Sequence, residues 1–256
     1  MAGTHSYSNF TVAVYERLIS RALQRYQFVA FPQALELPLS EGSPLPLLLR
    51  HDIDVSVHRG LRLAQIERAM GVPSTFFLLF HSSFYNLLEP EVSRKIEEIL
   101  KLGHRLGLHF DLAYYNDIIN LSQLEQRISD EAEFLFRIFG HKVEAVSFHN
   151  PEVGNALAYD QDLLAGLVNT YSGKLRRRYD YISDSNGHWR FRDLSEIFDS
   201  ATSRPLHLLV HPEWWVEEAL SPRHRISRAI EGRAKNVSDW FSPKRARPLS
   251  NELVPH

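Results

Sequence analysis

Six short apolar runs recur along this chain, and stretches of helical character lie between most of them. The runs fall at residues 47–49, 75–80, 106–108, 143–148, 179–183 and 206–210. Each is continuously apolar rather than alternating, the pattern of strands buried on both faces. Between them, residues 57–70 read as a helix ending at Gly71, and residues 90–102 as a helix closed by Gly103. Residues 122–139 form a longer one, with Ser122 as N-cap, Glu125 three residues on, and Gly140 closing it. A short helix is expected over 159–168. Strands alternating with helices of this length dictate a mostly parallel sheet with crossover helices, either a barrel or a doubly wound sheet.

The flanks follow a different rhythm. Residues 10–27 have the spacing of an amphipathic helix, with Val14, Leu18 and Leu23 among its apolar positions. Residues 32–46 carry Pro32, Pro38, Pro44, Pro46 and Gly42, which predicts a loop leading into the main fold. Residues 221–256 hold eight Lys/Arg against three Asp/Glu with little apolar periodicity, and read as a solvated basic tail. The expected organisation is therefore a lead-in over 1–45, a main α/β unit over 46–220 and a basic tail over 221–256, as one domain of 256 residues.

Composition narrows the chemistry. The chain has no cysteine, so thiol catalysis and Cys-ligated zinc are excluded, and any metal must be held by His, Asp or Glu. A net charge of −2 argues against a nucleic-acid partner, and Arg176-Arg177-Arg178 read as a solvated loop. No run reaches the length of a membrane span and no signal-like apolar core follows the start, so a cytoplasmic location is expected.

The residues just past each apolar run carry the functional signal. Residues 47–49 lead into Arg50, His51, Asp52 and Asp54; residues 75–80 into His81; residues 106–108 into His109 and Asp111. The remaining runs exit into His149, Asp184 and His211. Every run ends in a His or an Asp, and a parallel barrel gathers its strand C-termini on one face. The expectation is a pocket of imidazoles and carboxylates, the groups that bind zinc-like metals and supply acid and base to hydrolysis. Taken singly, Asp54 could cap the following helix, Asp184 could be turn chemistry, and His81 reads as structural.

In their order these segments resemble the polysaccharide-deacetylase superfamily, carbohydrate esterase family 4. Leu49-Arg50-His51-Asp52-Ile53-Asp54 corresponds to its paired acidic motif, and residues 103–111, Gly-His-Arg-Leu-Gly-Leu-His-Phe-Asp, to its metal-histidine motif. Ser147-Phe148-His149-Asn150-Pro151 stands where the family has Arg-x-Pro, residues 181–185 resemble the Asp-bearing fourth motif, and Leu208-Leu209-Val210-His211-Pro212 the last. The resemblance runs from Leu47 to Trp215. It departs from the family at His51, at Ala113, where the second metal histidine would stand, and at His149.

The resemblance implies an incomplete or distorted (β/α) barrel of about seven parallel strands. It also implies a divalent metal, zinc, and removal of an N- or O-linked acetyl group from a sugar or glycan precursor. Asp52, His109 and His149 are the expected ligands, with Asp54 able to replace Asp52. Asp54 or His51 is the expected base, and His211 the acid that protonates the leaving group. Asp111 is placed to orient a histidine, Arg50 to neutralise the carboxylates or hold substrate, Asp184 to bind substrate, and Trp214 or Trp215 to stack on a sugar ring. Rival readings are a sugar-binding pseudo-enzyme on the same barrel, a hydrolase of a small non-sugar amide, and an amidohydrolase-type barrel. The last usually carries His-x-His on its first strand, where this chain has His51-Asp52-Ile53-Asp54.

Overall fold

Nine residues from Leu45 to Ile53 form the strand on which the molecule is organised, and all but the first are buried. In the computed structural model, residues 7–38, 42–115, 118, 120–200 and 204–240 are described. In chain order the elements are α1 (Val12–Leu23), β1 (Tyr26–Phe28), α2 (Phe31–Glu36), β2 (Leu45–Ile53), α3 (Val57–Ala69), β3 (Thr75–Leu79), α4 (Pro90–Lys101) and β4 (Arg105–Phe110). Then follow α5 (Leu121–Phe139), β5 (Val143–Phe148), β6 (Leu163–Leu164), β7 (Leu167–Asn169), α6 (Gly173–Arg178), β8 (Asp180–Ser183), α7 (Leu194–Asp199), β9 (Leu206–Val210) and α8 (Pro222–Trp240).

The strands pair in the order β6-β7-β5-β4-β3-β2-β9-β8, with β1 alongside β2. Every pairing is parallel except β6 with β7. The sheet curls without closing. Tyr171, just past β7, and Tyr181 on β8 belong to opposite ends of this path, yet their rings lie 6.4 Å apart. This is the incomplete β/α barrel expected of the chain.

Alternation along each strand divides the residues between two layers. Outward residues of β3, β4 and β5 pack under α3, α4 and α5, with Phe76, Leu106, Leu108 and Phe148 in one cluster. Leu47, Leu49, Leu208 and Val210 pack against α1 and α7. Inward residues Leu48, Phe77, Ala145 and Val168 meet Phe31, Ala34 and Leu35 of α2. That helix lies beside Arg105 and Lys142, at the N-terminal ends of β4 and β5, and fills the end of the barrel away from the strand C-termini.

Four expectations change. The proline-rich stretch is not all loop, because Pro32 sits in the first turn of α2, where its fixed φ and missing N–H are harmless. Residues 159–168 are not a helix: Leu163–Leu164 and Leu167–Asn169 form an antiparallel pair turned at Ala165 and Gly166, both with positive φ. Residues 222–240 of the expected tail are helical, and Arg225 is fully buried with its guanidinium 5.6 Å from the Phe10 ring. The rest of that tail, 241–256, lies outside the described residues. Arg176-Arg177-Arg178 are the last turn of α6 rather than loop. No helix among the described residues is long and apolar enough to cross a membrane.

Candidate metal centre and catalytic pocket

Strand alternation decides which side chains of β2 reach the barrel interior. Arg50 and Asp52 point inward and Asp54 follows on the same side; His51 and Ile53 point outward. Arg50 grips Asp52 with two parallel bonds, Nε to Oδ1 at 2.7 Å and Nη2 to Oδ2 at 2.5 Å. Two further bonds go to Thr170 Oγ1 at 3.0 Å and Tyr171 Oη at 3.2 Å. Burial alone would favour a neutral Asp52, but the Arg50 charge prevails and holds its carboxyl below the usual range. Arg50 is fully buried between the rings of Phe77 and Tyr171. It thus neutralises Asp52, and its complete burial keeps it away from substrate.

Next to this pair, three ligand-type atoms converge. Asp54, His109 and His149 each present one, all within 4.8 Å of one another. His109 Nε2 lies 3.1 Å from Asp54 Oδ1 and 3.3 Å from His149 Nδ1, and His149 Nδ1 lies 3.7 Å from Asp54 Oδ1. The cluster draws on three strands: Asp54 past β2, His109 from β4 and His149 past β5. His109 and Ser147 are register partners on β4 and β5, and Ser147 Oγ meets His109 Nδ1 at 2.7 Å. With Nδ1 fixed by the serine, Nε2 is the atom turned to the cluster.

The donor set fits a divalent cation. Two imidazole nitrogens face each other across 3.3 Å, and Asp54 Oδ1 is buried without a well-formed hydrogen bond. Two nitrogens and a carboxylate oxygen are a zinc-type ligand set. Asp52 stands apart from it: both its oxygens accept from Arg50, although Oδ2 is 3.6 Å from His109 Nε2. Of the two aspartates the sequence left open as ligand, the geometry groups Asp54 with the histidines.

His211, past β9, forms the opposite wall. Its Nδ1 lies 2.6 Å from Asp184 Oδ1, and its Nε2 is 4.0 Å from Asp54 Oδ2. Burial disfavours the imidazolium, but Asp184 outweighs it and pushes the His211 pKa up to about 10. Asp184 also accepts from the His211 backbone N–H at 2.9 Å and from Trp215 Nε1 at 2.8 Å. It is wholly enclosed, so it orients His211 rather than meeting substrate as expected. Trp215 is 2% exposed and packs on Phe10 and Tyr15, which removes it as a stacking platform; Trp214 does line the pocket.

His51 is the clearest departure. Its ring stacks on Phe76 on the far side of the sheet, and Nε2 lies 2.7 Å from Glu67 Oε1 on α3. Tyr15 and Ser74 donate to the same glutamate, and Ser74 meets His104 at 2.8 Å. A strand residue flanked by inward neighbours must face outward, so His51 cannot take a proton in this pocket. His81 stays out of the cluster too, 3.1 Å from Glu131 and stacked on Tyr114. Asp111 accepts from the Ala113 N–H and caps a short 3-10 turn.

Several pocket residues carried no sequence signal. Thr170 and Tyr171 follow a strand that reads as helix. Ser147 was visible only as the inward neighbour of His149 two residues on. Glu213 lines the pocket as a buried carboxyl, which burial and then Asp54 push up to about 8. The cavity lined by Asp52, Asp54, His109, His149, His211 and Glu213 encloses about 600 Å³, ample for a small organic ligand.

No family model matches this sequence, and no curated protein does. Similar solved structures exist. A family 4 carbohydrate esterase from Bacillus anthracis is 15% identical, with 86% of each chain covered and a TM-score of 0.42. The polysaccharide deacetylase Bc1974 from Bacillus cereus is 12% identical, covering 76% of this chain and 89% of its own, at a TM-score of 0.41. BA3943 from Bacillus anthracis, a pseudoenzyme of the same carbohydrate esterase family, is 13% identical over 73% of this chain and 60% of its own, at 0.39. Of these three structures, one is named a polysaccharide deacetylase and two are named for carbohydrate esterase family 4.

Proposed function

We propose that the protein is a metal-dependent hydrolase that removes an N- or O-linked acetyl group from a sugar or glycan precursor. The observation that carries this reading is the convergence of Asp54, His109 and His149 between the Arg50–Asp52 and Asp184–His211 pairs. Asp54, His109 and His149 would hold the ion, and zinc suits two imidazoles and a carboxylate. When bound, such an ion polarises the acyl carbonyl and lowers the pKa of water at the site.

The chain's own groups supply the rest. Asp52, ionised and fixed in orientation by Arg50, takes the proton of the attacking water. His211, kept protonated by Asp184, donates from Nε2 to the leaving nitrogen or oxygen. Trp214 lines the wall beside it. A second reading, a sugar-binding protein without activity, is favoured by the two bonds from Arg50, which weaken Asp52 as a base.

Metal analysis and acetate release separate these readings. The full chain should hold about one equivalent of divalent metal, the stoichiometry of a single three-ligand site. Asp54→Asn and His109→Ala should lose it. Asp52→Asn should keep it and lose roughly 10²–10⁴ in turnover, the usual contribution of a general base. Metal retained in Asp54→Asn but lost in Asp52→Asn would reverse the two aspartates. Bound sugar with no acetate released from any acetylated sugar would leave the inactive reading standing.

A further inference from the structure

The pocket continues past the His/Asp cluster. Beyond Tyr181 its wall reaches an outer lip built by α6 and by the segment between β8 and α7, and Arg176 and Arg190 from those elements line it. Both are exposed, and among the described residues neither guanidinium meets a carboxylate. Of the nearby cations outside the pocket, Arg204 pairs with Asp180 at 2.8 Å and Lys174 with Glu36 at 2.9 Å, while Arg177 and Arg192 meet no carboxylate among the described residues. Glu152, on the opposite wall, pairs with neither lip arginine.

The backbone around Arg190 adds a second observation. Asn186 has φ +61° and Phe191 φ +73°. Asparagine tolerates that region, but a phenylalanine there is an outlier, and such conformations persist where the surroundings impose them, commonly at ligand sites. Phe191 is 73% exposed at the mouth of the cavity, with the Arg190 guanidinium 5.7 Å from its ring. An aromatic face and two open guanidinium forks therefore share one lip.

We propose that this lip binds an oxyanion, a phosphoryl or carboxylate group, carried by an acylated sugar whose acyl end reaches the His/Asp cluster. The inference rests on the deacetylase reading for that inner end and deepens it by naming an anionic substrate class. Guanidinium forks match planar or tetrahedral oxyanions with paired bonds. Arg50 cannot serve the same anion, because it is fully buried and its charge is taken by two bonds to Asp52.

Calorimetric titration of the full chain with N-acetylglucosamine, its 1-phosphate and N-acetylmuramic acid tests this. At least one anionic sugar should bind roughly tenfold or more tightly than the neutral one, from charge-assisted bonds to arginine. Which one does so separates a phosphoryl from a carboxylate preference. Added salt should shrink that margin, and the double variant Arg176→Gln/Arg190→Gln should abolish it. His109→Ala should preserve it. Equal affinities, no binding of any of the three, or a margin that survives the double variant overturns the proposal. So does a margin lost in His109→Ala, which would place the anion on the inner cluster. Tight anionic binding without acetate release would instead sink the hydrolase reading and leave the lip intact.

Discussion

Asp184 controls His211 from a position that substrate cannot reach. Its carboxylate takes the ring Nδ1, the His211 backbone N–H and the Trp215 indole, and it is completely buried. Replacing it by asparagine keeps an acceptor for one of these donors and removes the charge. The His211 pKa, held up to about 10 chiefly against burial by that charge, should fall toward or below the ordinary 6.5. An acid works only below its own pKa, so the loss of turnover at high pH should move to lower pH in Asp184→Asn. The same shift should appear in an NMR titration of the His211 ring, which needs no substrate. An unmoved ring titration would remove Asp184 as the positioning group. At this scale, sequence reading located the residues but not always their partners. Arg50, Asp52 and Asp54 are spaced to share one side, and only the two bonds from Arg50 separate the aspartates. Asp184 was visible as a strand-end acid, but its enclosure depends on Trp215, whose neighbour Trp214 faces the pocket instead.

On β4, Gly107 faces the barrel interior opposite Phe77. A Cβ built there would stand 2.5 Å from Phe77 Cδ1, well inside contact distance. Phe77 cannot yield freely, since Phe31 packs edge-on at 5.6 Å and Arg50 lies over its ring at 5.2 Å. Gly107→Ala should therefore destabilise the fold by about 1–3 kcal/mol, the usual cost of overpacking a core. Urea denaturation measures that cost, and adding Phe77→Leu should recover part of it. A Gly107→Ala protein as stable as the original would mean that Phe77 moves more easily than its contacts imply. Elements buried on both faces were the legible ones: β5 and β9 fall on the residues their apolar runs mark. Residues 159–168 misled because their hairpin turns at Ala165-Gly166, and alanine at φ +50° carries none of the asparagine or aspartate chemistry that announces such a turn. The α5 N-terminus shifts from Ser122 to Asn120, whose side chain accepts from the Gln123 N–H at 3.0 Å. The 222–240 helix was illegible because only Arg225 is buried along it, so no apolar stripe marks it.

The whole barrel reveals why one more histidine belongs to the fold and not to the pocket chemistry. His207 is an inward residue of β9, paired in register with Leu48, and it packs between Phe31 of α2 and Tyr181 of β8. It thus links the helix that fills one end of the barrel to the far edge of the sheet. Burial and then the nearby Arg50 charge press its pKa down to about 3, and its Nε2 has no hydrogen-bond partner. Its ordinary value in the unfolded chain is 6.5. Between these two values the unfolded state binds a proton at His207 that the folded state refuses. Stability from this residue is therefore complete above the unfolded pKa and lost as pH falls toward the folded one. The slope is one proton, about 1.4 kcal/mol per pH unit. His207→Phe keeps a ring at the same place and removes the titration. Urea denaturation of both proteins between about pH 4 and 6 should show the original losing stability on acidification more steeply than the variant, by roughly that slope. Parallel curves would mean that the ring is protonated in the folded state. In that case water would reach the ring from the cavity that His207 itself lines, and the inner end of the pocket would extend down to α2.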